Sequence, residues 1–282
     1  MRQVKFKNNI LNIVGRNIKV YDFAPDFRVV SSEMKDIFLN QFDEKIKIIT
    51  TFPSLDTSVC DLQVREFNKK ASNLSSDIVV IGISNDLPFA QKRFCELNNI
   101  KNVFVFSDYK YSSFGLNYGV LIKELKLLAR TVIIVDKNNV VGYIQISEEI
   151  TESLNYDDVM KNLEEIIKNP VVGKKSEIPS KCEPCEAGTP PLQKEQITKL
   201  LEKFDGWTLI EDKKIVKEYK FKDFIEAKYF VDLVSIVSEE QFHHPTITVS
   251  YNKVKISLTT HASKGLTLND FIMAQIIDQL YS

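Results

Sequence analysis

The residue with the clearest chemical signal is Cys60, which ends the run Pro-Ser-Leu-Asp-Thr-Ser-Val-Cys at 53–60. A stretch typical of a strand precedes the run and an amphipathic stretch follows it, so we expect Cys60 in a first helical turn. Unpaired N–H groups there favour a thiolate, the form of cysteine that attacks an electrophile such as a peroxide oxygen. Thr57 can place its hydroxyl beside the sulfur, and Pro53 can shield it from water. A lone cysteine between a strand and a helix is more often a packing residue. The hypothesis that Cys60 is a nucleophile therefore depends on the whole run at 53–60.

The three histidines, His243, His244 and His261, all lie near the end of the chain. Neighbouring side chains on a strand point to opposite faces, so His243 and His244 can share a pocket only where the chain turns, and Pro245 favours a turn. Three imidazoles close together can bind zinc or act as general acid and base. The alternative is that they are surface or structural histidines.

Two further cysteines, Cys182 and Cys185, have the Cys-x-x-Cys spacing of a redox pair or of half a zinc site. They lie in a proline-rich stretch rather than after a strand, and the sequence holds no second pair to complete four zinc ligands. We favour a solvated pair without a catalytic role, with redox function and metal binding as alternatives. Four cysteines in a chain of 282 residues do not make a secreted disulfide scaffold.

The elements that must position Cys60 alternate between strands and helices. The pattern predicts strands at 46–51, 78–84, 103–107, 131–135 and 142–146 and helices at 59–73, 89–97 and 156–167. Continuous apolar strands separated by helices are typical of an α/β layer fold with helices on both faces of the sheet.

The pattern changes after a stretch that holds five of the nine prolines of the chain, from Pro170 to Pro191. We therefore predict a domain at 1–168, a linker at 169–191 and a domain at 192–282. The second domain should be α+β, an antiparallel sheet with helices on one face. Its pattern predicts helices at 194–204, 224–240 and 268–280 and strands at 207–210, 215–220, 247–249 and 254–260. The apolar face of the middle helix should hold Ile225, Tyr229, Phe230, Leu233, Val234 and Val237.

Composition excludes several classes of function. With 44% hydrophobic and 27% charged residues the chain has the balance of a folded protein. Its net charge of −1 gives no positive field for nucleic acid. No apolar run approaches the roughly 20 residues that cross a bilayer, and no polybasic stretch suits a membrane surface. We expect a cytoplasmic protein.

The first domain resembles the thiol peroxidase branch of the peroxiredoxins. The segments that carry the resemblance are FPSLDTSVCDLQVREFN, SNDLPFAQKRFC, which ends at Cys95, and LLARTVIIVD, which contains Arg130. The resemblance implies a thioredoxin-like fold, Cys60 as peroxidatic nucleophile and Cys95 as resolving cysteine, with Thr57 and Arg130 completing the pocket. It also implies a homodimer, peroxide substrates and a thioredoxin-type reductant. In the redox alternative, Cys182 and Cys185 would reduce the Cys60–Cys95 disulfide.

The second domain resembles pterin-4a-carbinolamine dehydratase, also known as a dimerisation cofactor of a transcription factor. The segments are GWTLIEDKKIVKEYKFKDFIEAKYFV and EEQFHHPTITVSYNKVKISLTTHASKGLTLND. The resemblance implies dehydration of 4a-hydroxytetrahydropterin to quinonoid dihydropterin without a metal or other cofactor. His243 and His261 would transfer protons, while His244 and Asp270 would bind the pterin. Thr246 stands where members of the family often carry Trp.

These features together predict a bifunctional enzyme that forms homo-oligomers. Two alternatives remain. In one, the second domain is a non-catalytic dimerisation or protein-interaction module. In the other, the first domain is a peroxide sensor that passes its disulfide to another protein.

Overall fold

The computed structural model describes residues 2–174, 178–179, 181–184 and 189–281. Spatial contacts divide the chain into two compact units, Met1–Lys175 and Ser176–Ser282. In the part of the chain that is described, no helix is long and apolar enough to cross a membrane.

The first unit is built on a twisted sheet of seven strands. In chain order its strands are β3 (Arg28–Val30), β4 (Asp36–Phe38), β5 (Ile46–Thr51), β6 (Ile78–Ser84), β7 (Phe104–Ser107), β10 (Thr131–Val135) and β11 (Val141–Ile146), arranged as β11-β10-β5-β6-β7-β3-β4. The pairs β5–β6 and β6–β7 are parallel and the other pairs are antiparallel. A smaller antiparallel sheet holds β1 (Arg2–Phe6), β2 (Asn9–Val14), β8 (Leu121–Ile122) and β9 (Leu127–Leu128).

Four helices complete the first unit: α1 (Ser58–Ala71), α2 (Pro88–Leu97), α3 (Ser113–Asn117) and α4 (Tyr156–Lys168). A 3₁₀ turn spans Leu39–Phe42. Apolar residues of α1 and α4 pack with Ile48 of β5 in one core cluster, while the next residue, Ile49, is also fully buried. Because successive side chains of a strand point to opposite faces, both faces of β5 are covered. The predicted α/β thioredoxin-like architecture is confirmed.

The second unit is an antiparallel sheet of four strands with helices. Its strands are β12 (Thr208–Ile210), β13 (Lys214–Lys220), β14 (Thr246–Ser250) and β15 (Lys253–Leu258), in the order β12-β13-β15-β14, and its helices are α5 (Lys194–Leu201), α6 (Phe224–Gln241) and α7 (Leu268–Tyr281). In β15, Val254, Ile256 and Leu258 are buried and alternate with more accessible residues. One face of the sheet therefore carries the core, as predicted for an α+β fold.

Two details of the sequence analysis need correction. On α6 the buried face includes Phe230, Val234 and Val237, but its first turn contributes Ala227, whereas Ile225 is exposed. The second detail is that described parts of the predicted linker are attached to the units. The Val171 N–H donates to Asp136 Oδ2 at 3.2 Å in the first unit, although the next residue, Val172, is exposed.

Candidate active sites

The chain turns from β5 into α1 at the first candidate site. Thr57 is the N-cap residue of α1 and has an extended backbone conformation. Cys60 is the third residue of the helix. The Thr57 hydroxyl does not cap the helix; its Oγ1 donates to Cys60 Sγ at 2.7 Å. The predicted placement of Cys60 in a first helical turn is confirmed, and the threonine hydroxyl lies against the sulfur.

Arg130 places a permanent positive charge beside the same sulfur. It lies between β9 and β10, seventy residues after Cys60 in the chain. Its Nη2 lies 3.2 Å from Cys60 Sγ, and its side chain is almost completely buried. The guanidinium is held in place because Nε donates to the Ile150 carbonyl at 2.9 Å. A buried guanidinium favours negative charge on an atom it touches.

Gln63 is a site residue that the sequence analysis missed. It lies one turn after Cys60 on α1, is fully buried, and its Oε1 accepts a hydrogen bond from Arg130 Nη1. Its Nε2 donates to the Thr51 carbonyl at 3.1 Å, which fixes the amide against β5. The available signal was a polar residue on the helix face that also carries Cys60.

Cys60 itself has no exposed surface. Pro53, predicted to shield the sulfur, is buried in the preceding loop, and so is Leu55. The pocket is not purely apolar, however, because Thr57 and Arg130 both contact the sulfur.

Tyr156, the first residue of α4, also lies near this pocket. Its ring packs edge-on against Phe67 with 5.6 Å between ring centroids. Burial raises the pKa of Tyr156; the Arg130 guanidinium opposes that rise, and the charges of Glu66 and Cys60 add to it. The phenol is therefore within electrostatic reach of the reactive sulfur. Nothing in the local sequence indicated this.

Cys95 lies on α2 and packs against the core cluster that includes Cys60. The two cysteines are not bonded to each other. Burial, with a smaller contribution from Glu96, raises the pKa of the Cys95 thiol to about 11. At neutral pH this cysteine is therefore a thiol in its folded position.

The second candidate site centres on His243, just after α6. The imidazole Nε2 donates to Asp270 Oδ1 at 2.8 Å, and both side chains are buried. Asp270 Oδ2 accepts from the Thr260 hydroxyl at 2.8 Å and from the Thr267 N–H at 2.8 Å. The Asp270 carboxylate is fully enclosed in this structure, where it orients His243.

The other two histidines are exposed. His244 Nε2 donates to Glu239 Oε2 at 3.0 Å on the surface. His261 opens the 3₁₀ turn His261–Ser263, directly after the Thr260 that binds Asp270. The described residues contain no group of three or more His, Cys, Asp or Glu that could hold a metal ion. The structure thus brings one histidine, His243, into a buried hydrogen-bonded pair.

The Cys-x-x-Cys stretch differs from the expected solvated pair. Cys182 is buried; its N–H donates to Gln241 Oε1 at 2.9 Å, and its Sγ lies 3.7 Å from the Asn269 carbonyl oxygen. The prediction failed for Cys182 because the side-chain amides of Gln241 on α6 and Asn269 on α7 hold this stretch through hydrogen bonds to the Cys182 and Glu183 backbone. Cys185 lies outside the described residues.

Comparison with known proteins assigns both units. A family profile described as Redoxin matches residues 19–160, and one described as Pterin 4 alpha carbinolamine dehydratase matches residues 190–280. A thiol peroxidase of Staphylococcus saprophyticus is 42% identical over 161 residues, 57% of this chain and 97% of the relative. A thiol peroxidase of Bacillus subtilis is 42% identical over 168 residues, 60% of this chain and all of the relative.

Among solved structures, a peroxiredoxin-like protein from Aquifex aeolicus matches with a TM-score of 0.56 and 41% identity, covering 59% of this chain and 98% of the other. The chain belongs to the redoxin family. It is an enzyme whose redoxin domain has thiol peroxidases as relatives, fused to a pterin dehydratase domain.

Proposed function

We propose that the first unit reduces hydroperoxides with Cys60 as the nucleophile. The observation that carries the proposal is the contact of Cys60 Sγ with both the Thr57 hydroxyl and the Arg130 guanidinium. Arg130 favours the thiolate and the negative charge that develops on the peroxide oxygens. Thr57, exposed at the helix start, can turn its hydroxyl from the sulfur to the incoming peroxide.

In the first step the Cys60 thiolate attacks one oxygen of the peroxide. An S–O bond forms, the O–O bond breaks, and the leaving alkoxide takes up a proton to depart as an alcohol, or as water when the substrate is hydrogen peroxide. The sulfur is oxidised to sulfenic acid and the peroxide is reduced. Cys60 needs no imidazole for this step, because the positive charge beside it is permanent.

In the second step the Cys95 sulfur attacks the Cys60 sulfenic acid, a disulfide forms, and water leaves. Cys60 and Cys95 belong to different helices, α1 and α2, so one helix must unwind locally. Unwinding α2 also removes the burial that raises the pKa of Cys95. A dithiol reductant of the thioredoxin type then exchanges with the disulfide and returns both cysteines to thiols.

The test is peroxide consumption by the full chain with a thioredoxin system. We expect Cys60→Ser to abolish it, whereas Cys95→Ser should consume one equivalent of peroxide per chain and then stop. Cys182→Ser is the matched control, because it changes a buried cysteine of the other unit; its turnover should equal that of the unmodified chain. Full turnover by Cys60→Ser would refute the assignment.

We further propose that the second unit dehydrates 4a-hydroxytetrahydropterin, with His243 as the principal acid–base group. The buried pair of His243 and Asp270 supports this reading, since the carboxylate fixes the ring and leaves Nδ1 to exchange a proton. Loss of water requires one proton delivered to the leaving hydroxyl and one removed from N5. His261, which follows Thr260 in the same network, is the second candidate for proton transfer.

The proposal for the second unit is tested by measuring whether the full chain accelerates dehydration of the 4a-carbinolamine. We expect His243→Ala to lose this acceleration. Unchanged peroxidase turnover reports folding of the first unit, and an unchanged melting temperature reports folding of the second. If neither the unmodified chain nor the variant accelerates the reaction, the second unit is an interaction module, and its effect on the oligomeric state of the chain becomes the measurement of its role.

A further inference from the structure

The loop that covers Cys60, residues 53–57, is held by a side chain outside the described pocket. Asp86, in the turn between β6 and α2, accepts a hydrogen bond from the Ser54 hydroxyl on Oδ1 at 2.6 Å. Its Oδ2 accepts the Leu55 N–H at 2.8 Å and the Ser84 hydroxyl at 2.8 Å. One carboxylate thus binds two successive residues of the loop.

These contacts continue directly to the reactive sulfur. The Ser54 carbonyl accepts the Thr57 N–H at 3.2 Å and lies 3.2 Å from the Thr57 hydroxyl. That hydroxyl donates to Cys60 Sγ at 2.7 Å. A displacement of Ser54 therefore moves the threonine that contacts the sulfur.

Asp86 is itself fixed and is connected to the resolving helix. Its N–H donates to the Ser84 hydroxyl at 3.4 Å, and its carbonyl accepts from Ser107 Oγ. Ser84 Oγ also accepts from the buried amide of Gln91 on α2 at 3.0 Å. The carboxylate thus lies between the loop of Cys60 and the helix of Cys95.

We propose that Asp86 is a positioning residue for peroxide reduction. It holds the 53–57 loop so that Thr57 stays against Cys60, and without it the loop relaxes and the hydroxyl leaves the sulfur. The inference rests on the proposed role of Cys60 in the peroxidase reaction. Asp86 touches neither the sulfur nor the substrate, so its effect passes through Ser54 and Leu55.

The experiment measures the single-turnover rate constant for oxidation of Cys60 by hydrogen peroxide in the reduced full chain. We expect Asp86→Ala to lower this rate constant by about tenfold or more, because a well-placed catalytic group that shifts by about 1 Å loses much of its effect. Ser54→Ala, which removes one of the loop contacts, should lower it by about threefold to tenfold.

Asp86→Asn separates positioning from charge. Its amide oxygen can still accept the Leu55 N–H, and its NH₂ group can donate to the Ser54 oxygen, so we expect a rate constant within about threefold of the unmodified chain. Asp136→Ala is the matched control. Asp136 is a buried carboxylate that accepts the Asn138 and Val140 N–H groups, and it follows β10 at the opposite end of β5. Its loss should lower thermal stability without changing the rate constant of the folded protein.

An unchanged rate constant in Asp86→Ala would overturn the inference, provided that Cys60→Ser is inactive. An active Cys60→Ser would instead refute the proposed function. If Asp86→Ala does not fold, Ser54→Ala decides the matter: a slower reaction at unchanged melting temperature supports the inference, and an unchanged rate overturns it. A loss in Asp86→Asn as large as in Asp86→Ala would also overturn it.

Discussion

The two units place their reactive groups under different electrostatic control. Cys60 of the first unit is buried beside a guanidinium whose charge does not change with pH in the range where proteins are folded. His243 of the second unit is buried beside a carboxylate, which accepts a hydrogen bond from its imidazole. A fixed charge suits a nucleophile that must stay ionised, whereas a titratable group suits a reaction that moves protons in both directions.

The largest effect should come from removing the fixed charge. We expect Arg130→Met to lower the rate of Cys60 oxidation by about 300-fold, within the range of about 10²–10³ for the loss of one electrostatic stabiliser. Stopped-flow oxidation of the reduced chain gives the rate, and an unchanged melting temperature of the same sample reports folding of the first unit. A loss below threefold would show that the guanidinium is structural.

The corresponding change in the second unit is Asp270→Asn. It replaces the carboxylate that accepts the hydrogen bond from His243 Nε2 with an amide, which can hold the ring in the wrong tautomer. We expect dehydration to slow by about 100-fold. Peroxidase turnover should not change, and a parallel loss of both activities would contradict the separation of the two sites.

A smaller effect concerns the pH dependence of disulfide formation. Burial raises the pKa of Cys95 to about 11 in its folded position, but unwinding of α2 returns it to the ordinary value of about 8.5. If oxidation of Cys60 leaves α2 mostly unwound, the rate of disulfide formation should rise about 16-fold from pH 7 to 8.5 and level off above about pH 9.5, at about 30-fold. The rate is measured after one equivalent of peroxide is added.

Rising pH lowers the stability of folded α2, the helix that carries Cys95, and so favours the unwinding that disulfide formation requires. Because the folded pKa of Cys95 lies above its unfolded value, burial of the thiol contributes its full stability below about pH 9 and loses it as the pH rises toward about 11. Opening of α2 therefore does not become harder at high pH. A rate that keeps rising tenfold per pH unit up to pH 11 would show that the buried thiol on folded α2 predominates before the attack.

The smallest effect should be that of His244→Ala. His244 is exposed and pairs with Glu239 on the surface, so we expect dehydration to change by less than about threefold, a surface pair being worth little. The adjacent variant His243→Ala should lose dehydration, so the two variants of neighbouring residues can be compared directly. Equal losses in the two variants would show that both imidazoles contact the pterin.

Much of the fold could be predicted because the signals are local. The strand predicted at 46–51 is β5 at Ile46–Thr51, and the helix predicted at 59–73 is α1 at Ser58–Ala71. Each depends on the spacing of apolar residues within one element. The short strands β8 and β9 have too few residues to show a period, and the sequence analysis did not predict them.

Contacts between neighbours in the chain could be predicted at the candidate sites, whereas contacts across the fold could not. Cys60 and Thr57 lie within one helical turn, so their contact follows from local geometry. Gln63 and Asp86 could not be assigned a role in this way, because what matters is the partner that each meets across the fold: Arg130 for the first and Ser54 for the second. Cys182 was expected in solvent because composition does not reveal the side-chain amides that hold it.

The amino-acid sequence by itself determined which residue types are available for chemistry and which short stretches form strands and helices, since both depend on neighbours in the chain. The tertiary structure decided which of these residues meet. It placed the Arg130 guanidinium against the sulfur of Cys60, seventy residues earlier in the chain. It also buried Asp270 in a hydrogen bond with His243, one of the three histidines. Burial and charge act through space, so their effect on a side chain depends on the folded position of every group around it.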